Sequence, residues 1–141
     1  MAKPAVPPSH RFVDHTSEIG LQVRAPSFGE LLAEAARGLA RLMLREAHAE
    51  AEGETRDFEV SAHDREALLV DWLNEILYVA ETGLWIPLEI EVLEASDTRI
   101  RARARGVTVE LSPSMVKAAT FHGLEVVETA DGLSAEVILD V

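Results

Sequence analysis

Residues 27–43, SFGELLAEAARGLARLM, decide the class of fold. Phe28, Leu31, Leu32, Ala35, Leu39, Leu42 and Met43 recur at helical spacing and give one apolar face over about four turns. Ser27, with Glu30 three residues on, forms a capping box, and Pro26 stands just before it. Upstream, RFVDHT (11–16) and IGLQVRA (19–25) read as two brief strands, the second alternating Leu21 and Val23 against Gln22 and Arg24. A one-faced helix behind two strands has to bury that face on the sheet they help to form.

Downstream, the pattern dissolves in HAEAEGET (48–55), an acidic loop containing Gly53, before DFEVSA (57–62) gives a third strand. Asp64 caps a second helix whose apolar face is Leu68, Leu69, Trp72, Leu73, Ile76, Leu77 and Ala80, with Gly83 as its stop. From Trp85 onward the chain reads as strands only. These are WIPLEIEVLEA (85–95), TRIRARARG (98–106), VTVELS (107–112), MVKAATF (115–121), LEVVETA (124–130) and SAEVILDV (134–141). ADG at 130–132 marks a hairpin turn between the last two. The expectation is a single α+β domain, β-β-α-β-α followed by a β meander, with two helices packed on a mainly antiparallel sheet. Proline-rich residues 1–10 read as a disordered N-terminal arm, and residues 11–141 as the domain.

Apolar residues make up 48% of the 141-residue chain, enough for a core and too many for a disordered chain. The formal net charge is −12 with a pI of about 4.7, so the chain repels a phosphate backbone overall. There is no cysteine, which excludes disulfide scaffolds, thiolate zinc sites and cysteine nucleophiles together. MAKPAVPPSH (1–10) lacks the apolar stretch of a signal peptide, and no run approaches the ~20 apolar residues that cross a bilayer. A soluble, acidic, cytoplasmic protein with no membrane partner is the expectation.

Four constellations carry chemistry. Asp14, His15 and Thr16 stand where a short strand gives way to a turn. Asp14 reads first as a turn or cap residue and second as a ligand for a hard cation, and His15 reads first as a hydrogen-bonding turn residue. At the other end, EVILDV (136–141) alternates like a docked strand and finishes on Val141, which sets an α-carboxylate beside that of Asp140. Two anionic groups fixed so close repel unless a cation or basic side chain sits between them. Arg99, Arg101, Arg103 and Arg105 share one strand face, which a solvated outer face explains and a docking stripe for RNA or an acidic partner would also explain. Lys117 alternates with apolar residues, while His122–Gly123 reads as a turn with glycine at positive φ. No Gly-rich phosphate loop, nucleophile elbow or HExxH helix is present, so nothing here makes a self-sufficient enzyme.

FVDHTSEIGLQVRAPSFGELLAEAARGL (12–39), DWLNEILY (71–78), KAATFHGLEV (117–126) and the terminal LDV (139–141) together resemble the archease family, in kind and in order. The resemblance covers about Arg11 to Val141. It implies a small α+β protein, not itself an enzyme, that assists an RtcB-type RNA ligase in tRNA splicing and RNA repair. Such a protein promotes the ligase–guanylate intermediate formed from GTP in the ligase active site, and meets RNA only through the ligase. Carried over by residue, the family's divalent-cation site (Ca2+, Mg2+ or Mn2+) falls on Asp14, Asp140 and Val141, and its functional lysine on Lys117. The sequence departs from the pattern at Glu18 (aspartate expected), Phe121 (tyrosine) and Val141 (isoleucine), and in a shorter segment between Arg105 and Lys117. Two other readings stand beside it: a small metal-dependent phosphoester hydrolase, and a general protein-interaction or chaperone module.

Overall fold

In the computed structural model, which describes residues 7–113 and 115–141 except the side chain of His15, Ser27 caps the first helix. Its hydroxyl accepts a hydrogen bond from the Glu30 N–H (3.3 Å) and donates one to the Glu30 carboxylate (3.0 Å). Helix α1 (Phe28–Glu46) follows and buries Leu31, Leu32, Ala35, Leu39 and Leu42 completely. Asp64 caps α2 (Arg65–Gly83) by accepting from the Ala67 N–H at 2.8 Å. Both apolar faces are the ones the periodicity picks out.

Among the described residues, eight strands accompany the helices. They are β1 (Ser9–His15), β2 (Glu18–Ala25), β3 (Ala49–Ser61), β4 (Trp85–Ala95), β5 (Arg99–Val109), β6 (Ala118–Thr120), β7 (Val127–Thr129) and β8 (Gly132–Asp140). The α+β class and the element order are as expected, and all pairings are antiparallel. The strands divide between two sheets, however. One runs β1-β2-β8-β6 with β7 also on β8, and the other runs β3-β5-β4. The division follows from the pairing of distant segments. β8 returns across the whole chain to β2, from Glu18↔Asp140 to Ala25↔Leu133, while β5 is taken up on both edges by β3 and β4.

Several strand limits differ from the sequence reading, each for a local reason. β1 begins at Ser9, so the last two residues of the expected arm are paired in the sheet, and residues 1–6 lie outside the described part. The acidic stretch read as a loop is the first half of β3. A bulge between Glu52 and Thr55 breaks the ladder there, and the Trp85 indole N–H donates to the freed Glu54 carbonyl at 2.9 Å. Gly106 does not end a strand; β5 passes straight through it. The Trp85 indole lies across Gly53 and Gly106, where added Cβ atoms would come within 2.7 and 2.6 Å of the ring. Gly83 remains helical, and Leu84 takes the left-handed turn (φ 50°) that ends α2. β6 and β7 are only three residues each, because the turn around Gly123 (φ 63°) swings the chain away from β8 between them.

The two helices share one core with both sheets. α1 packs against β2 and β4, and α2 against β3, β4 and β6. Small residues make the approach possible: Ala102 and Ala104 line the inner face of β5, and Gly29 of α1 sits against Ala95 and Val92 of β4. Trp72 centres the core, its N–H donating to the Leu32 carbonyl at 2.8 Å and its ring edge-on to Phe58, which stacks on Trp85. β1 is pinned to α1 through His10 Nδ1, 2.6 Å from the Glu34 carboxylate, which Arg37 also reaches at 3.1 Å. Arg65 joins four elements or their ends, bonding Asp97 (2.9 Å) and Glu128 (3.2 Å) while lying 5.6 Å from the Phe28 ring centre. Among the described residues, no helix is long and apolar enough to cross a membrane.

Two glycines separate sterics from backbone freedom. At Gly106 an alanine Cβ would lie 2.3 Å from the Ile86 carbonyl oxygen, and at Gly123 it would meet nothing within 4 Å. Urea denaturation should show Gly106→Ala losing about 3 kcal/mol and Gly123→Ala only about 1 kcal/mol, the cost of positive φ. Equal losses would contradict the close packing of Trp85 on β5.

Candidate functional site

The pairing of β8 with β2 gathers most of the candidate residues at one end of the first sheet. Its last rows read Val13, Gly20, Ile138; then Asp14, Ile19, Leu139; then His15, Glu18, Asp140, with Ala118 of β6 completing the final row. Successive rows project to opposite faces. Asp14 therefore shares the row of buried Ile19 and Leu139, and Asp140 shares the outer row of Glu18. Two strand spacings, about 10 Å, separate the β1 and β8 backbones. Asp14 and Asp140 are exposed, and Val141 is half-buried against the core.

Lys117 arrives at the same end. Its backbone N–H donates to the Asp140 carbonyl at 2.8 Å, and its side chain is exposed. The short segment after β5 is what delivers it. Ser112 Oγ donates to the Glu81 carbonyl (3.2 Å) and the Met115 N–H to the Glu46 carboxylate (2.6 Å), so both helices hold the segment. Beyond it, the Ala119 N–H donates to Asn74 Oδ1 (2.8 Å) and Asn74 Nδ2 donates to the Ala119 carbonyl (3.2 Å). Thr120 Oγ1 adds a bond to the Ile138 carbonyl at 3.0 Å. The expected turn follows, closed by the Leu124 N–H on the Phe121 carbonyl (3.0 Å), with Phe121 and His122 exposed.

The outer face of this sheet carries a relay that sequence reasoning missed. Arg11 Nε donates to Gln22 Oε1 (2.5 Å), and Gln22 Nε2 donates to Glu136 Oε2 (2.8 Å). The Glu136 carboxylate reaches over Gly20, where a Cβ would be 3.1 Å from its oxygen. The next row on that face pairs Glu18 with Asp140 across the β2–β8 ladder. The only advance signal was residue type: a glycine in a buried strand beside a long acidic residue. Among the described residues, no three histidine, aspartate or glutamate side chains are grouped so as to hold a metal ion. The donor set implied by the family resemblance differs from such a group, for it combines two side chains with the main chain at Val141.

The arginine stripe lies on the outer face of the second sheet and is matched within the chain. Arg99 bonds Glu59 and Arg103 bonds Asp57 on β3, at 2.5 and 2.9 Å. Arg101 and Arg105 pair instead with Glu94 and Glu89 on β4, at 3.2 and 3.7 Å. The alternation leaves a neutralised ladder rather than a free basic surface, and an RNA phosphate would have to displace these carboxylates. Lys117, by contrast, forms no ion pair among the described residues, and it and Lys3 are the only lysines in a chain otherwise basic through arginine.

Comparison with known proteins gives one consistent result. Residues 10–141 match the family described as the Archease protein family. Proteins named archease from Methanosarcina barkeri and Archaeoglobus fulgidus are 30% and 31% identical; the alignments cover 94% of this chain in each case, and 95% and 98% of those proteins. The solution structure of Methanobacterium thermoautotrophicum protein 1598 superimposes with a TM-score of 0.71 at 28% identity, over 94% of this chain and 98% of that one. A Thermotoga maritima crystal structure, titled an archease and possible chaperone, shares the fold with a TM-score of 0.63 at 22% identity, over 100% and 98% of the two chains.

The ladder sets a pH dependence. The Arg103 hydrogen bond, aided by the charges of Arg103 and Arg101, holds the Asp57 carboxyl below the usual aspartate range. A depressed folded pKa means that the pair's contribution is present above the unfolded value and is lost as pH falls through the folded one. Both groups are exposed, so the contribution is small and screened by salt. Carboxyl NMR titration should find Asp57 shifted down and returned toward the ordinary range by Arg103→Ala; an unchanged titration would contradict the pair.

Proposed function

The chain belongs to the archease family, and on that premise we propose that it activates an RtcB-type RNA ligase in the cytoplasm, serving tRNA splicing and RNA repair. It acts as a protein cofactor: it promotes formation of the ligase–guanylate intermediate from GTP and lets the ligase turn over. RNA is met through the ligase, in keeping with a net charge of −12 and an arginine stripe already matched by carboxylates.

The observation that supports this reading is the main-chain hydrogen bond from the Lys117 N–H to the Asp140 carbonyl, which sets two of the residues matched by resemblance on adjoining segments. Lys117 presents an exposed ammonium, a compact point charge able to orient nucleotide phosphates or the ligase nucleophile. Asp14, Asp140 and the main-chain oxygens of Val141 would hold the divalent cation, an all-oxygen anionic set of the kind Ca2+, Mg2+ and Mn2+ prefer. When bound, that ion supplies positive charge to offset phosphate. The chain's own part would be to hold the lysine and the acids in register, a role supported by the β1–β2 and β2–β8 pairings and by the Lys117 N–H bond to the Asp140 carbonyl.

Guanylylation of a purified RtcB-type ligase should be stimulated by the wild-type protein, and roughly tenfold less or worse by Asp14→Asn, Asp140→Asn and Lys117→Ala, since each removes a charge from the site. Full stimulation by all three variants would overturn the reading.

A further inference from the structure

We propose that Asn74 is the positioning residue for Lys117, its side-chain amide standing in for a strand on the open edge of β6. The inference rests on the role given above to Lys117. β6 is three residues long and, among the described residues, pairs with β8 alone, through Ala118↔Asp140, Ala119↔Leu139 and Thr120↔Ile138. So short a strand has too few ladder bonds to stay docked, and elements of this size open with little free energy. On the edge away from β8, Asn74 both accepts from the Ala119 N–H (2.8 Å) and donates to the Ala119 carbonyl (3.2 Å). Those two bonds to one residue are what a neighbouring antiparallel strand would supply.

Asparagine suits the task because it presents an acceptor and a donor side by side; aspartate lacks the donor and leucine lacks both. Its own position is set by α2, where the flanking Leu73 and Ile76 have no exposed surface. Lys117 stands two residues before Ala119, and its N–H is bonded to the Asp140 carbonyl at 2.8 Å. With Ala119 clamped by α2 and Lys117 tied to β8, the exposed ammonium starts from a fixed backbone. Without the clamp, β6 frays and Lys117 loses its place beside Asp140.

The test compares Asn74→Ala, Asn74→Asp, Lys117→Ala and the Asn74→Ala/Lys117→Ala double variant, using amide hydrogen exchange and guanylylation of a purified RtcB-type ligase. Asn74→Ala should speed exchange at Ala119 by roughly tenfold, the loss of one net hydrogen bond, while the amides of Leu73 and Val137 keep their protection. In a titration of the ligase it should lower maximal stimulation and leave the half-saturating concentration unchanged. A smaller folded fraction would do the reverse. In the Lys117→Ala background it should add no further loss. Asn74→Asp, which keeps the acceptor alone, should also lower the maximum, and it carries the comparison if Asn74→Ala loses core protection.

Unchanged Ala119 exchange, full stimulation, or a loss that adds to that of Lys117→Ala would overturn the inference. If Lys117→Ala stimulates fully, the reading of Lys117 fails and this inference falls with it. Faster Ala119 exchange in Asn74→Ala would then still show a clamp, one with no part in activation.

Discussion

The pairing of β2 with β8 is the constraint on which the rest depends. It joins residues 18–25 to residues 133–140, so the first hairpin and the last strand form one surface although more than a hundred residues lie between them. Such a long closure is entropically costly, and burial of both strands offsets it: Leu21, Val23, Val137 and Leu139 have no exposed surface. Because side chains alternate with a period of two, a slip of one residue would turn that apolar row outward. The register that protects the core therefore also fixes where Asp14 stands relative to Asp140.

Charge is managed differently on the two sheets. On β5, four arginines alternate between acids on either side, so an exposed and strongly acidic chain keeps a locally neutral face. At the end of β8, Glu18 and Asp140 face each other with no basic side chain paired to them among the described residues. That end of the sheet therefore keeps a net negative charge, in contact with solvent at Asp140.

Much of this was legible in the sequence. Helical spacing located both helices, Ser27 and Asp64 acted as caps, and ADG marked the β7–β8 hairpin. Gly53 and Gly106 misled, because glycine signals a turn and a close approach equally well, and only the position of Trp85 tells which. The division into two sheets was hidden because local alternation says nothing about partners. Lys117 and Asp140 could be named from the family resemblance, but their contact needed the β6–β8 pairing. Asn74 gave no sign of its role, since a single amide on an apolar helix looks like any half-buried polar residue until its partner is placed.

The central claim is that the end of β8 is where this protein presents a bound cation and Lys117 together. Titration with Mn2+, followed by paramagnetic broadening of backbone amide signals, tests it most directly. The account predicts that Asp14, Lys117, Asp140 and Val141 broaden first and together, and that Asp140→Asn removes the effect. Earliest broadening along the acidic strand Ala49–Ser61, with the end of β8 unaffected, would contradict it.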